Sequence, residues 1–483
     1  MLFNSYEFIF LFFPLVLAVY FLLGKYEKHA LANLSLIIFS LIFYAYWNVY
    51  FLPLLLISII ANFSIYKGIV FFKNREEKLS SKLTFYFGIL FNLGLLGYFK
   101  YYNFFLESLN DLGANFEISA IILPLGISFF SITQLLFLWD AYASEVKETN
   151  LLNYSLFVTF FPHLLAGPIL YHYQMIKQFN DASLCKIKWQ NFSKGFTLFI
   201  IGLMKKTMIA DALSPYVNYG FSHTDEITLF TAWIISISYM LELYFDFSGY
   251  SDMAVGLAKM INFNIPINFN SPFRATNMIN FWQKWHISLT NALTAAIYMP
   301  IIRKVKKPTL KRTIFAASIT MFLVGIWHGA GWTYVIFALL NALTVAINYL
   351  WRETKINMPK FLAHTLTLLT ILFTMVFFRA ENVTNALNVF YAMFGFNGIM
   401  FADSFFVIKG GLPQLNLPIE NAPGIFFQLA LISAILIATF SPSSNDLIKK
   451  FKPNIYWLLF AGIGFFLSFL AMTKPTEFLY FQF

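Results

Sequence analysis

Ile314-Phe315-Ala316-Ala317-Ser318-Ile319-Thr320-Met321-Phe322-Leu323-Val324-Gly325-Ile326-Trp327-His328-Gly329-Ala330-Gly331-Trp332 opens an apolar run that continues to Leu350, with His328 as its one chargeable basic or acidic side chain. A helix needs about 20 apolar residues to cross roughly 30 Å of hydrocarbon. The run therefore reads as two spans, 314–326 and 332–350, with His328 at or near the turn between them. Ionisable groups at membrane depth are costly and mark working sites. An imidazole that titrates near neutrality can take a proton from a hydroxyl. The plainer alternative is a core histidine bonded to a backbone carbonyl.

The composition agrees with a membrane setting. Of 483 residues, 59% are hydrophobic and 12% charged, against roughly 25% charged in soluble domains. The first apolar segment, 8–23, has no basic leader and no small-residue cleavage pattern, so it reads as a retained span and not a signal peptide. The net charge of +10 comes from Lys and Arg in short loops between apolar runs, which is the signature of membrane orientation. No aromatic-basic RNA motif accompanies them, and no nucleic-acid partner is expected. Cys185 is the only cysteine, which excludes intrachain disulfides and cysteine-based metal sites.

Further candidate spans fall at 31–46, 51–72, 83–99, 119–139, 196–219, 228–247, 361–378, 426–440 and 456–472. The expected fold is an all-α polytopic membrane protein with about twelve crossings. The strongest orientation marker is Arg303-Lys304-Val305-Lys306-Lys307, continued by Lys311 and Arg312, which places that loop in the cytoplasm. Alternation outward from it puts both termini on the far, periplasmic side. Two stretches break the pattern: 151–171 with Pro162, Gly167 and Pro168, and the polar 247–302. Broken backbone at membrane depth is tolerated only under cover of protein or water, so both are expected to be re-entrant and to line a cavity. No repeat or soluble domain is evident. The chain reads as one domain, 1–483, with peripheral helices to about 144, a core over about 145–380 and C-terminal helices over 381–483.

Polar residues concentrate between Glu242 and His286. Tyr244-Phe245-Asp246-Phe247-Ser248-Gly249-Tyr250-Ser251-Asp252 is followed by Asn262, Asn264, Asn268 and Asn270, and then by Phe281-Trp282-Gln283-Lys284-Trp285-His286-Ile287-Ser288-Leu289. A packing-only segment has little use for this much hydrogen-bonding capacity. Asp246 and Asp252 do not share a helical face, so they are not read as a paired acid and base; ordering Tyr or backbone groups is the role expected of them. Lys205 and Lys206, at the edge of a span, read as snorkelling anchors, and His172 reads as a loop residue.

These segments, with Phe160-Phe161-Pro162-His163-Leu164-Leu165-Ala166-Gly167-Pro168, Gly325–Trp332 and Phe377-Phe378-Arg379-Ala380-Glu381, resemble the membrane-bound O-acyltransferase (MBOAT) family. Within it they are most similar to the bacterial branch that O-acetylates alginate and peptidoglycan. The likeness runs from Met1-Leu2-Phe3-Asn4-Ser5 to Phe478-Leu479-Tyr480-Phe481-Gln482-Phe483. The resemblance implies a funnel or tunnel through a bacterial inner membrane, with His328 as the catalytic residue and His286 as a second polar site. Acetyl-CoA is the implied cytoplasmic donor, and a periplasmic or membrane-anchored partner of acetyltransferase or esterase type is the implied recipient. The chain departs from the branch at Ala295-Ala296, where an Arg-Asp pair is usual, which puts any role of that pair in doubt.

On this reading His328 is a general base toward an acceptor hydroxyl, or is itself transiently acetylated. Trp327, Trp332, His286 and the backbone amides near Gly329 and Gly331 are candidate donors to the oxyanion. Trp285, Asp246, Tyr250, Asp252, Ser288 and His163 are the supporting or substrate-binding candidates. Arg303, Lys304, Lys306 and Lys307 either attract the phosphates of CoA or serve orientation alone. Two histidines without further ligands do not make a metal site, and none is expected. Peptidoglycan is the favoured acceptor because its O-acetylation is widespread; alginate, another exopolysaccharide and D-alanyl transfer to teichoic acid are the alternatives. A small-solute transporter is the competing reading outside enzymes.

Overall fold

The computed structural model describes residues 1–146, 149–399, 422–472, 476, 478 and 479; the last four residues of the terminal motif, 480–483, lie outside them. Among the described residues every regular element is a helix of α, 3-10 or π type. The chain forms two compact units. One comprises Met1–Phe199 with Met253–Pro266, the other Ile200–Asp252 with Ile267–Phe483.

Among the described residues six helices have the length and composition to cross a membrane: Phe8–Lys25, Val49–Asn74, Lys78–Asp111, Leu310–His328, Trp332–Thr354 and Lys360–Arg379. His29–Ala45, Phe427–Phe440 and Ile455–Ala471 are shorter apolar helices. Several expected spans have other bounds, and three differ in form as well. The segment expected over 119–139 becomes helical only at Ile127, after Pro124, because proline disfavours helix in the residue before it. The segment expected over 196–219 runs through a π turn at Lys205–Ala210, and that expected over 228–247 is the first part of a 32-residue helix, Leu229–Met260.

In the first unit, polar side chains on apolar helices satisfy one another, as low-dielectric surroundings require. Asn62 and Asn92 exchange side-chain amide bonds of 3.3 and 2.7 Å between the Leu52–Asn74 and Lys78–Leu96 helices. Gln134 donates to Ser58 Oγ and accepts from the Tyr154 hydroxyl, each at 2.9 Å. The expected break at Pro162 is present: the Leu151–Thr159 helix stops, a single turn follows at Phe161–Leu164, and the buried chain then runs without helix to Leu170. His172 is no loop residue. It begins the His172–Phe179 helix, is buried, and bonds Thr149 Oγ1 at 3.3 Å beside the Phe137 and Phe157 rings.

The second unit is organised by close backbone approaches. Gly325 lets the Leu310–His328 helix meet the Trp332–Thr354 helix, because a Cβ there would lie 2.4 Å from that of Ala338. A Cβ on Gly249 would lie 2.7 Å from the Gly202 carbonyl oxygen and 3.2 Å from Lys205 Cβ. This contact brings Lys205 and Lys206 against the Leu229–Met260 helix. Lys205 Nζ pairs with Asp252 at 2.7 Å, and Lys206 Nζ with Asp246 at 2.7 Å and Asp211 at 2.9 Å. The snorkelling expected of these lysines is therefore corrected: Lys206 is only 2% exposed, held inside by carboxylates that would otherwise be buried without a counter-charge. Leu479 N–H donates to Asp246 Oδ2 at 3.0 Å, and the Phe478 ring packs edge-on to Tyr250 with centroids 4.6 Å apart.

Candidate active site at a histidine pair

The site lies in the second unit. His328 is the last residue of its helix, and the chain turns at Gly329-Ala330-Gly331 before the next helix starts at Trp332. Gly329 is required there, since a Cβ would lie 2.2 Å from the Tyr334 ring. His328 is 5% exposed. Its ring meets Phe378 with centroids 5.2 Å apart and Phe337 at 6.4 Å, so aromatic rings flank it.

His286 comes from the irregular stretch and is brought to the same place. Its ring centroid lies 6.3 Å from that of His328 and 6.1 Å from the Trp327 ring, while the Trp327 and His328 rings are 5.1 Å apart. The Phe247 ring meets His286 edge-on at 4.7 Å. His286 is 2% exposed and adopts a left-handed conformation, φ 45° and ψ 52°, which costs a non-glycine residue about 1–3 kcal/mol and marks functional positions. Extended chain holds it: Ile287 N–H donates to the Asn268 carbonyl at 2.9 Å, and Asn270 N–H to the Lys284 carbonyl at 3.0 Å.

The other expected residues separate into groups. Ser288 is beside the pair, its Oγ donating to Asn268 Oδ1 at 2.7 Å. Trp285 is buried core, stacked on Phe281 at 5.5 Å and edge-on to Phe269 at 5.1 Å. Asp246 and Asp252 belong to the lysine ion pairs; Asp246 also orders a backbone group, Leu479 N–H, whereas its lysine partner was not anticipated. Trp332 is 55% exposed at the start of its helix. His163 lies in the first unit, where its Nε2 is 2.8 Å from the Phe157 carbonyl oxygen, as in a satisfied core histidine. Arg303, the last residue of the short Met299–Arg303 helix, is exposed, as are Lys304, Lys306 and Lys307 in the loop that leads to the Leu310–His328 helix.

A cavity of about 280 Å³ lies in the same unit, and neither His286 nor His328 is among the residues that line it. Trp282, Thr290, Thr294, Tyr298, Thr320 and Tyr349 contribute to its walls, and so does Val324, one helical turn before His328. Among the described residues the buried Trp282 indole N–H has no hydrogen-bond partner, which is unusual for a buried donor and suits a wall that meets a ligand. Thr294 and Tyr298 bound the π turn that carries Ala295 and Ala296. The residue that sequence reasoning missed is Asn268, one of four asparagines noted without roles.

Residues 39–390 match the membrane-bound O-acyltransferase family. Over 83% of its length the chain is 38% identical to the peptidoglycan O-acetyltransferase of Helicobacter pylori, covering 81% of that protein. It is 36% identical to the probable alginate O-acetylase AlgI of Azotobacter vinelandii, over 83% of this chain and 80% of that one. Similarity to the teichoic acid D-alanyltransferase of Bacillus subtilis is 28% over 45% of this chain and 57% of the relative. The chain belongs to the membrane-bound O-acyltransferase family. It is thus a multi-pass membrane enzyme, an O-acyltransferase, and the transporter reading gives way.

Proposed function

We propose that this enzyme takes an acetyl group from acetyl-CoA at the cytoplasmic face of a bacterial inner membrane and passes it across for O-acetylation of peptidoglycan. The observation that carries the chemistry is the buried pair, His286 and His328, with ring centroids 6.3 Å apart. His328 takes the proton of an acceptor hydroxyl as its oxygen attacks the thioester carbonyl. The tetrahedral intermediate collapses with cleavage of the C–S bond, and the CoA thiolate leaves with the proton from the imidazolium. Trp327, whose ring centroid lies 6.1 Å from that of His286 and 5.1 Å from that of His328, is placed to serve the oxyanion with its indole N–H.

The exposed Arg303, Lys304, Lys306 and Lys307 suit the CoA phosphates. About twelve crossings around a funnel, with both termini periplasmic, would give the acceptor an approach from the far side, where a membrane-anchored or periplasmic partner completes the transfer.

Peptidoglycan is preferred on the Helicobacter pylori relative; the Azotobacter vinelandii relative, nearly as similar, supports alginate or another exopolysaccharide as the second reading. The test is the ester-linked acetate content of isolated peptidoglycan from a deletion strain, the strain restored with this gene, and the strain restored with His328→Ala at equal membrane abundance. Acetate is expected only with the native gene. Acetate unchanged by deletion overturns the acceptor, and full rescue by the alanine variant overturns the base.

A further inference from the structure

We propose that Asn268 is the positioning residue of this site, and that its side-chain amide fixes His286 as the tautomer protonated on Nδ1, leaving the Nε2 lone pair to accept a proton or hydrogen bond. The inference rests on the acyl-transfer reading above only for its catalytic consequence.

The orientation of the amide follows from one group that has no choice of role. Ser288 backbone N–H is a donor, and the Asn268 atom 3.2 Å away must be the oxygen. The same Oδ1 takes the Ser288 hydroxyl at 2.7 Å, and Asn268 Nδ2 lies 3.4 Å from Ser251 Oγ, where it donates. His286 Nδ1 is 3.2 Å from that oxygen. With an acceptor fixed opposite, an unprotonated Nδ1 would set lone pair against lone pair in a site where both residues are at most 2% exposed. The proton therefore resides on Nδ1, and Nε2 of the neutral ring carries the lone pair.

The backbone closes the same grip. Asn268 accepts from Ile287 N–H with its carbonyl and from Ser288 N–H with its side chain, so one residue holds both the ring and the left-handed turn that presents it. The consequence is a division of labour. A neutral His286 cannot offer Nε2–H to an oxyanion; its Nε2 can only accept, from a donor other than the acceptor hydroxyl whose one proton goes to His328, and the oxyanion must look to Trp327 or to backbone amides. This replaces the donor role that sequence alone allowed for His286.

The test uses the full chain in lipid bilayers with 15N-labelled histidine. His286 resonances are assigned by their loss in His286→Gln, at a pH where the ring is neutral. The expected signature is a protonated Nδ1 and a bare Nε2, which Asn268→Ala abolishes; an Nε2–H signature in the native chain overturns the proposal. The same preparations are assayed for thiol release from acetyl-CoA. Asn268→Ala is expected to lower kcat at least about 10- to 100-fold, the range found for partners that orient metal-bound histidines, with KM changed less than about twofold. Asn268→Asp, which keeps an acceptor for Nδ1–H, is expected to recover most of that loss and to preserve the tautomer. Native kcat in Asn268→Ala, or equal loss in both variants with the tautomer unchanged, overturns it. Because the tautomer is read without substrate, absence of thiol release from the native chain would count against the acyl-transfer reading alone.

Discussion

Gly329→Ala tests whether the turn after His328 is as tightly determined as the packing indicates. The added Cβ would lie 2.2, 2.3 and 2.4 Å from three atoms of the Tyr334 ring, where carbon atoms ordinarily approach to about 3.5 Å. Something must give by more than about 1 Å. Tyr334 is half-buried, and on its inner side its ring is 5.4 Å from Phe378, which itself packs 5.2 Å from His328 and 4.9 Å from Phe337 by centroid. A displacement toward that side passes to the imidazole. Overpacking of this kind costs about 1–3 kcal/mol, and a shift of about 1 Å at a reacting group can cost about 100-fold in rate. The assay is thiol release from acetyl-CoA by purified membranes, alongside thermal unfolding in detergent. Gly331→Ala is the internal control, because a Cβ there meets Tyr334 at 3.7 Å and Thr333 at 3.9 Å, ordinary contact, and is expected to alter stability by less than about 0.5 kcal/mol. Gly329→Ala combined with Tyr334→Ala should be no worse than Tyr334→Ala alone. Native activity in Gly329→Ala, or equal losses at the two glycines, refutes the reasoning.

His328→Gln should remove about 100- to 10,000-fold of turnover, the range for a general base, while leaving the unfolding temperature near native; retention of turnover would assign the base elsewhere. Lys206→Met should destabilise by about 3–5 kcal/mol, because Asp246 and Asp211 lose a cation at 2.7 and 2.9 Å in a buried setting. Adding Asp246→Asn should restore part of that loss, and a double variant less stable than Lys206→Met would contradict the ion-pair account. Replacing Arg303, Lys304, Lys306 and Lys307 together by glutamine should raise KM for acetyl-CoA and weaken its salt dependence with kcat retained; an unchanged KM alongside altered loop labelling from outside would give those charges to orientation.

The membrane class was legible because a charge-poor run such as 314–350 has few other readings, and His286 and His328 stood out as candidates because such a setting ordinarily discards polar residues. That the two rings meet was not. They belong to separate elements, and their approach depends on the Gly325 contact within the hairpin and on an irregular chain that local periodicity does not encode. Lys205 and Lys206 were misread for the same reason. Their place at a span edge is a local fact, whereas burial arises from Gly202 and Gly249, residues 47 positions apart in the chain that bring two helices into contact. Asn268 was invisible in a different way: among Asn262, Asn264, Asn268 and Asn270, composition alone cannot say which amide caps a histidine and which faces solvent.

The bond from Leu479 N–H to Asp246 has a consequence for the order in which the molecule can be built. Asp246 is synthesised 233 residues before the amide that completes its hydrogen bonding. Through most of translation it can hold its lysine and still lack the Leu479 donor, so the hydrogen bonding of the ion-pair cluster in the second unit is finished only when Leu479 docks. A ribosome product stopped short of residue 479 would have its helices and its histidines yet keep a carboxylate oxygen exposed to the interior, a defect that membrane proteases and chaperones are well suited to find.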